Sequence, residues 1–142
     1  MPEVLSTESI ENYRRDGYFF PLEVIPDTRV RETRDCLEAF ESKQGKPIGG
    51  AQRNKSHLLF TWVDDLMRTP RILDAVEDLI GPDILCWNSF FWVKEARSQT
   101  FVSWHQDLRY WGLDTHDLIT VWLSLSPATL ESGCMRVLPG SH

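Results

Sequence analysis

The sequence predicts an α+β domain, with helices in its first eighty residues packed outside an antiparallel sheet built from the rest. Two observations carry this. Up to Gly81-Pro82 the apolar residues recur with a helical period, and beyond that point the period drops to two. Over Leu118 to Ser126 the alternation is cleanest. Ile119, Val121, Leu123 and Leu125 fill one face, and Thr120, Trp122, Ser124 and Ser126 fill the other. A length of 142 residues suits one domain or a large piece of one. We read residues 1–82 as mostly helical and 83–142 as mostly strands.

The elements follow in order. Ser6 or Thr7 caps a first helix with Glu8 and Glu11 near its start, and Gly17 ends it. Ile10 and Tyr13 share a face of that helix. Tyr18-Phe19-Phe20 reads as a short strand stopped by Pro21. A second helix runs from Asp27 to Lys43, with a sparse stripe of Val30, Cys36, Leu37 and Phe40. Gly45 to Asn54 is glycine-rich and polar, long enough for a lid or substrate loop. Pro70 opens a helix to Ile80 with the stripe Ile72, Leu73, Val76, Leu79 and Ile80, terminated by Gly81-Pro82. Ile84 to Lys94 is a long aromatic strand. Cys86, Asn88, Phe90, Trp92 and Lys94 share one face, and Leu85, Trp87, Ser89, Phe91 and Val93 share the other. A polar loop, Glu95 to Gln99, leads into a strand from Thr100 to Asp107. Leu118 to Ser126 follows. Glu131-Ser132-Gly133 turns, Cys134 to Leu138 is a short strand, and Pro139-Gly140 turns again.

Composition removes several function classes. A net charge of −6 and no run of Lys and Arg argue against a nucleic-acid surface. No apolar run approaches the roughly 20 residues that span a bilayer. The N-terminus has no signal-peptide core, so the expected location is cytoplasmic. Three cysteines at wide spacing do not read as a disulfide frame. Cys86 and Cys134 sit in apolar runs and read as buried small hydrophobes. Five of the six tryptophans fall between positions 87 and 122. They make either a Trp-rich core or an aromatic-lined pocket.

The chemistry concentrates at Trp104-His105-Gln106-Asp107. On a strand, His105 and Asp107 point the same way, placing an imidazole beside a carboxylate. With a second histidine these make the facial set that holds non-haem Fe(II) and leaves positions open. His-x-Asp alone is a weak signal. His57, next to an apolar run, reads as a hydrogen-bonded structural histidine. Lys55 reads either as a solvated charge or as an anion-binding group at a pocket mouth.

The longer motifs carry a family likeness. SWHQDLRYWGL and TVWLSLSPATLESGCMRVLPGSH resemble the phytanoyl-CoA dioxygenase family of Fe(II)/2-oxoglutarate-dependent oxygenases. So do YRRDGYFFPLEVI and HLLFTWVDDLMRTPRILDAVEDLIGPDILCW. The likeness runs over nearly all of the chain. It implies a double-stranded β-helix, or jelly roll, with N-terminal helices, here incomplete at the C-terminus. It makes His105 and Asp107 two of three iron ligands. It sets Gln106 and Trp122 near iron and the 2-oxoglutarate co-substrate. It sets Phe90 and Asn88 along the co-substrate or substrate pocket, and Lys55 at a co-substrate-contacting lysine. Phe90 also suits an ordinary core position. Related halogenases carry a small residue in place of the carboxylate, so Asp107 implies hydroxylation of a small organic substrate.

The chain departs from the family pattern in one respect. The family's second histidine and its 2-oxoglutarate-binding arginine lie several tens of residues past the PGSH turn. Of the other histidines, His57 and His116 do not match. His142 lies 35 residues after Asp107, too soon for the distal ligand, and Arg136 also comes too early. The expectation is that this is the N-terminal portion of an oxygenase. A C-terminal segment with the missing His and Arg would then stand in the same or another chain. Two rival classes remain. One is a non-catalytic or degenerate binding module, and the other is a cupin-like zinc or manganese enzyme.

Overall fold

The structure is a computed structural model that describes residues 3–142. Five α-helices are present among them: α1 (Thr7–Asp16), α2 (Asp27–Gln44), α3 (Thr61–Met67), α4 (Pro70–Ile80) and α5 (Leu108–Trp111). Two 3₁₀ turns, Gly50–Arg53 and Ser56–Leu58, lie between α2 and α3.

The helix ends follow their local chemistry. The Ser6 hydroxyl accepts the Ser9 N–H at 3.1 Å and caps α1. Gly17, at φ 80°, closes it by donating to the Tyr13 carbonyl at 2.7 Å. Pro70 occupies the first turn of α4, where its missing N–H costs nothing. The sequence reading did not include α3. It spans seven residues, and a single i, i+3 pair, Val63 and Leu66, is buried on it. That is too short to establish a period.

The fully buried hydrophobic residues are Leu5, Ile10, Ile48, Val63, Leu66, Ile72, Ala75 and Val76. All lie before Gly81, so the core belongs to the helical part of the chain. Leu5, Ile10 and Ala75 form its centre, with Val4, Leu22 and Leu79 against them. The Asp78 carboxylate fixes this packing. It accepts the backbone N–H groups of Glu3, Val4 and Leu5 at 2.8, 2.9 and 2.7 Å. Burial alone would raise the Asp78 carboxyl, but those three donors outweigh it and hold it below its ordinary value. A carboxylate with a depressed folded pKa contributes stability above its unfolded value and loses it on acidification. Asp78→Asn is therefore expected to destabilise the chain by about 1–2 kcal/mol at neutral pH, as for charged hydrogen bonds that remain partly solvated. The gap from the native chain closes as pH falls below 3.8 and through the depressed folded value. Chemical denaturation at pH 7 and at acid pH reads both.

The sheet expected after residue 82 is not there. Among the described residues no strand forms, and Asn54 and Phe90 make an isolated antiparallel bridge. Tyr18-Phe20, Ile84-Lys94, Thr100-Asp107, Leu118-Ser126 and Cys134-Leu138 all lack a ladder. The jelly-roll expectation is thus overturned. The physical reason is that alternation dictates which faces a segment presents, whereas a strand exists only when a neighbour supplies its hydrogen bonds. Without that neighbour the aliphatic and aromatic faces stay exposed: Leu85 is 84% and Phe101 82% accessible. Cys86 is likewise exposed and Cys134 half-buried, not core as expected.

The 84–94 run is pinned instead to the 3₁₀ region. Phe91 donates to the Arg53 carbonyl at 3.1 Å, and Ser56 donates to the Ser89 carbonyl. Rings on its inner side continue the contact, from Phe91 to Trp62 to Phe60 to Phe40 at centroid separations of 5.6, 5.5 and 4.8 Å. The turn at 139–142 docks on the end of α1. Gly140 donates to the Asp16 carbonyl at 2.8 Å, and the His142 ring N–H donates to that of Arg14 at 3.2 Å. Carbonyls at a helix C-terminus have no partner within the helix, so this docking satisfies them.

Candidate metal centre

His105 and Asp107 do meet, though not by strand alternation. Asp107 has helical angles and leads into α5, so the chain turns between the two residues. The turn brings His105 Nε2 to 3.1 Å from Asp107 Oδ1, with both side chains about one-third accessible. That is the length of an ordinary N–H···O hydrogen bond, and also about the separation of two neighbouring ligand atoms at right angles on a divalent cation.

The surrounding hydrogen bonds sharpen this. His105 Nδ1 lies 2.7 Å from the Ser103 carbonyl, an acceptor. Its Nε2 faces a carboxylate, also an acceptor. A neutral imidazole carries one N–H and can satisfy only one of them. With the proton on Nδ1, the Nε2 lone pair points at Asp107 Oδ1, an arrangement that a cation between them relieves. A metal-bound histidine ordinarily donates its other N–H to such a carbonyl. The other carboxylate oxygen, Oδ2, accepts the Thr120 hydroxyl at 2.6 Å, which fixes the carboxylate's plane. The donor set fits a divalent cation that takes imidazole and carboxylate. Among the described residues no group of three His, Cys, Asp or Glu side chains converges.

His105, but not Asp107, lines a cleft of about 450 Å³ with Trp104, Gln106, Arg109, Tyr110, Leu138 and Ser141. The Tyr110 ring meets the His105 ring edge-on at 5.8 Å. Gln106 turns away from the pair and donates to the Ser141 carbonyl, tying the motif to the turn that docks on α1.

The remaining expected site residues fall into two groups. Phe90 and Trp122 share an aromatic wall. Phe90 meets Trp92 at 4.9 Å, and Trp92 stacks on Trp122 at 6.5 Å and 19°. Trp122 sits two residues past Thr120, whose hydroxyl bonds Asp107. Lys55 and Asn88 bond each other: Asn88 Oδ1 accepts the Lys55 N–H at 3.0 Å and holds Lys55 at φ 52°. The Lys55 ammonium lies 5.3 Å from the Trp87 ring centroid. Among the described residues no hydrogen bond joins either of them to the His105–Asp107 pair. His57 bonds Ser89 Oγ through its ring at 2.7 Å, the structural role expected of it. Thr120 and Arg53 were not singled out by sequence. Thr120 lay on the polar face of a predicted strand, and Arg53 lay in a polar loop that gave no signal.

A family model described as Phytanoyl-CoA dioxygenase (PhyH) matches residues 13–142. The chain belongs to the phytanoyl-CoA dioxygenase family. The peroxisomal phytanoyl-CoA dioxygenase of Homo sapiens is 27% identical over 98% of this chain and 48% of its own length. A probable alpha-ketoglutarate-dependent hypophosphite dioxygenase of Stutzerimonas stutzeri is 33% identical over 72% of this chain and 36% of its own. The L-proline trans-4-hydroxylase of Streptomyces griseoviridis is 24% identical over 92% and 53%. The chain spans about half the length of the curated relatives it matches. No solved structure matches it. Among the described residues no helix is long and apolar enough to cross a membrane.

Proposed function

We propose that this member of the phytanoyl-CoA dioxygenase family serves an Fe(II)/2-oxoglutarate-dependent dioxygenase that hydroxylates a small organic substrate. The observation that carries the reading is the His105–Asp107 pair, with its two acceptors facing one imidazole and its spacing of 3.1 Å. Bound Fe(II) with 2-oxoglutarate would supply oxidising power that no side chain has. The chain's own residues do the rest. With its proton on Nδ1, towards the Ser103 carbonyl, His105 would present Nε2 as a ligand. The Thr120 hydroxyl orients Asp107. Trp122 and Phe90 would line the approach with apolar surface. Lys55, positioned by Asn88, presents a cation to the co-substrate's far carboxylate, and Gln106 anchors the motif. The third ligand, a histidine, and an arginine for that carboxylate come from a further segment in the same or another chain.

Anaerobic addition of Fe(II) and then 2-oxoglutarate tests this. A weak visible charge-transfer band is expected, and it should vanish when Zn(II) replaces Fe(II). No band in any chain containing residues 1–142, extended ones included, would favour the second reading, a non-catalytic binding module. That reading is supported by the convergence of two, not three, ligands among the described residues.

A further inference from the structure

We infer that Arg53 is the anchor for the acidic end of an organic carboxylate substrate, whose apolar body lies along the wall of Phe90, Trp92 and Trp122. This rests on the dioxygenase reading for its chemistry, but not for its binding.

The guanidinium carbon of Arg53 stands 4.8 Å from the Phe90 ring centroid and 6.0 Å from that of Trp92. Its Nε donates to the Phe91 carbonyl at 2.9 Å. The group is therefore held on two sides, half-buried, with its plane set. Its two Nη groups have no protein acceptor among the described residues, and no ion pair there includes it. The arginines that do form ion pairs are Arg15, Arg29, Arg34 and Arg68. An arginine stacked on aromatic rings keeps its hydrogen-bonding edge free, and that edge matches a carboxylate bidentately. A lysine in its place would be a point charge without that fork.

The wall fixes the rest of the ligand. Phe90, Trp92 and Trp122 remain 41, 52 and 45% accessible and follow one another ring to ring at 4.9 and 6.5 Å. This strip runs from Trp122, two residues past the Thr120 whose hydroxyl bonds Asp107, to Arg53. A molecule gripped by its acid at Arg53 would lay its apolar body along the rings towards Trp122. The substrate class is thus a small acid with an apolar body, not a neutral hydrocarbon or a cation.

Phenylacetate and its neutral counterpart phenylacetamide separate the charge from the body. Quenching of tryptophan fluorescence reports both. The unaltered protein should bind phenylacetate about tenfold or more tighter, the scale of one charged hydrogen-bonded contact. Arg53→Gln should erase that preference, and Arg53→Lys should keep part of it, with far-ultraviolet circular dichroism unchanged in both. Equal affinity for the two probes in the unaltered protein would overturn the inference, as would a preference surviving in well-folded Arg53→Gln. Displacement of phenylacetate by stoichiometric 2-oxoglutarate would reassign Arg53 to the co-substrate and also overturn it. The charge-transfer band, measured on the same samples, separates the two failures. A band without the charge preference sinks the anchor alone. A charge preference without a band leaves an acid-binding site and sinks the oxidation.

Discussion

Asp107→Ala is expected to lower Fe(II) affinity by more than the roughly 10–100-fold that loss of a ligand's hydrogen-bonding partner costs, and to abolish 2-oxoglutarate turnover with it. Asp107 has two oxygens with separate tasks. Oδ1 faces His105 Nε2, and Oδ2 accepts from Thr120. On the proposed reading, alanine removes a metal ligand, the hydrogen-bonding neighbour of His105 and the acceptor of the Thr120 hydroxyl. A fold defect would not confuse the result. Every buried hydrophobic residue lies before Gly81, and Asp107 is partly exposed, so loss of its hydrogen bonds should cost no more than about 1–2 kcal/mol. Iron content after dialysis, and succinate release from the complete enzyme, measure the two effects. Undiminished succinate release from the variant would remove Asp107 from the metal set.

The pairing of His105 with Asp107 was legible in the sequence, but for the wrong reason. Two residues apart on a strand, they would point to one side. In the structure they meet because the chain turns into α5 at Asp107. A spacing of two satisfies both geometries, so the two side chains meet although the local backbone is not the expected strand. Helix ends were more faithful. Ser6 and Gly17 cap where cap chemistry predicts, and Pro70 and Gly81 bound α4, while α2 runs one residue past the expected Lys43 to a Gly45 cap. What the sequence could not carry was partnership. Phe90 and Trp92 do sit on one side, as a period of two requires, and Phe91 packs on the other against Trp62. The same period says nothing about which segment, if any, lies alongside. Arg53 shows the converse. Its residue type in a polar loop was uninformative, and only the rings of Phe90 and Trp92, some forty residues on, give it a role.

Ile10→Ala should cost about 2–4 kcal/mol, the range for truncating a buried branched side chain where the site collapses only partly. Ile10 is 8% accessible and packs with Leu5 and Ala75 at the centre of the core. Loss of its side chain opens a void between α1 and α4, while Asp78 continues to hold Leu5 from the other side. A domain stable by about 5–15 kcal/mol loses a large share of its margin. The denaturant midpoint should fall with the slope unchanged. The effect should also reach the metal pair. The end of α1 receives the 139–142 turn through Asp16 and Arg14, and Ser141 of that turn holds Gln106, the residue between His105 and Asp107. If that chain of contacts is continuous, Ile10→Ala weakens Fe(II) retention under conditions where the variant is still folded. If only the midpoint moves, α1 supports the core and the motif positions itself through Ser103 and Thr120 alone.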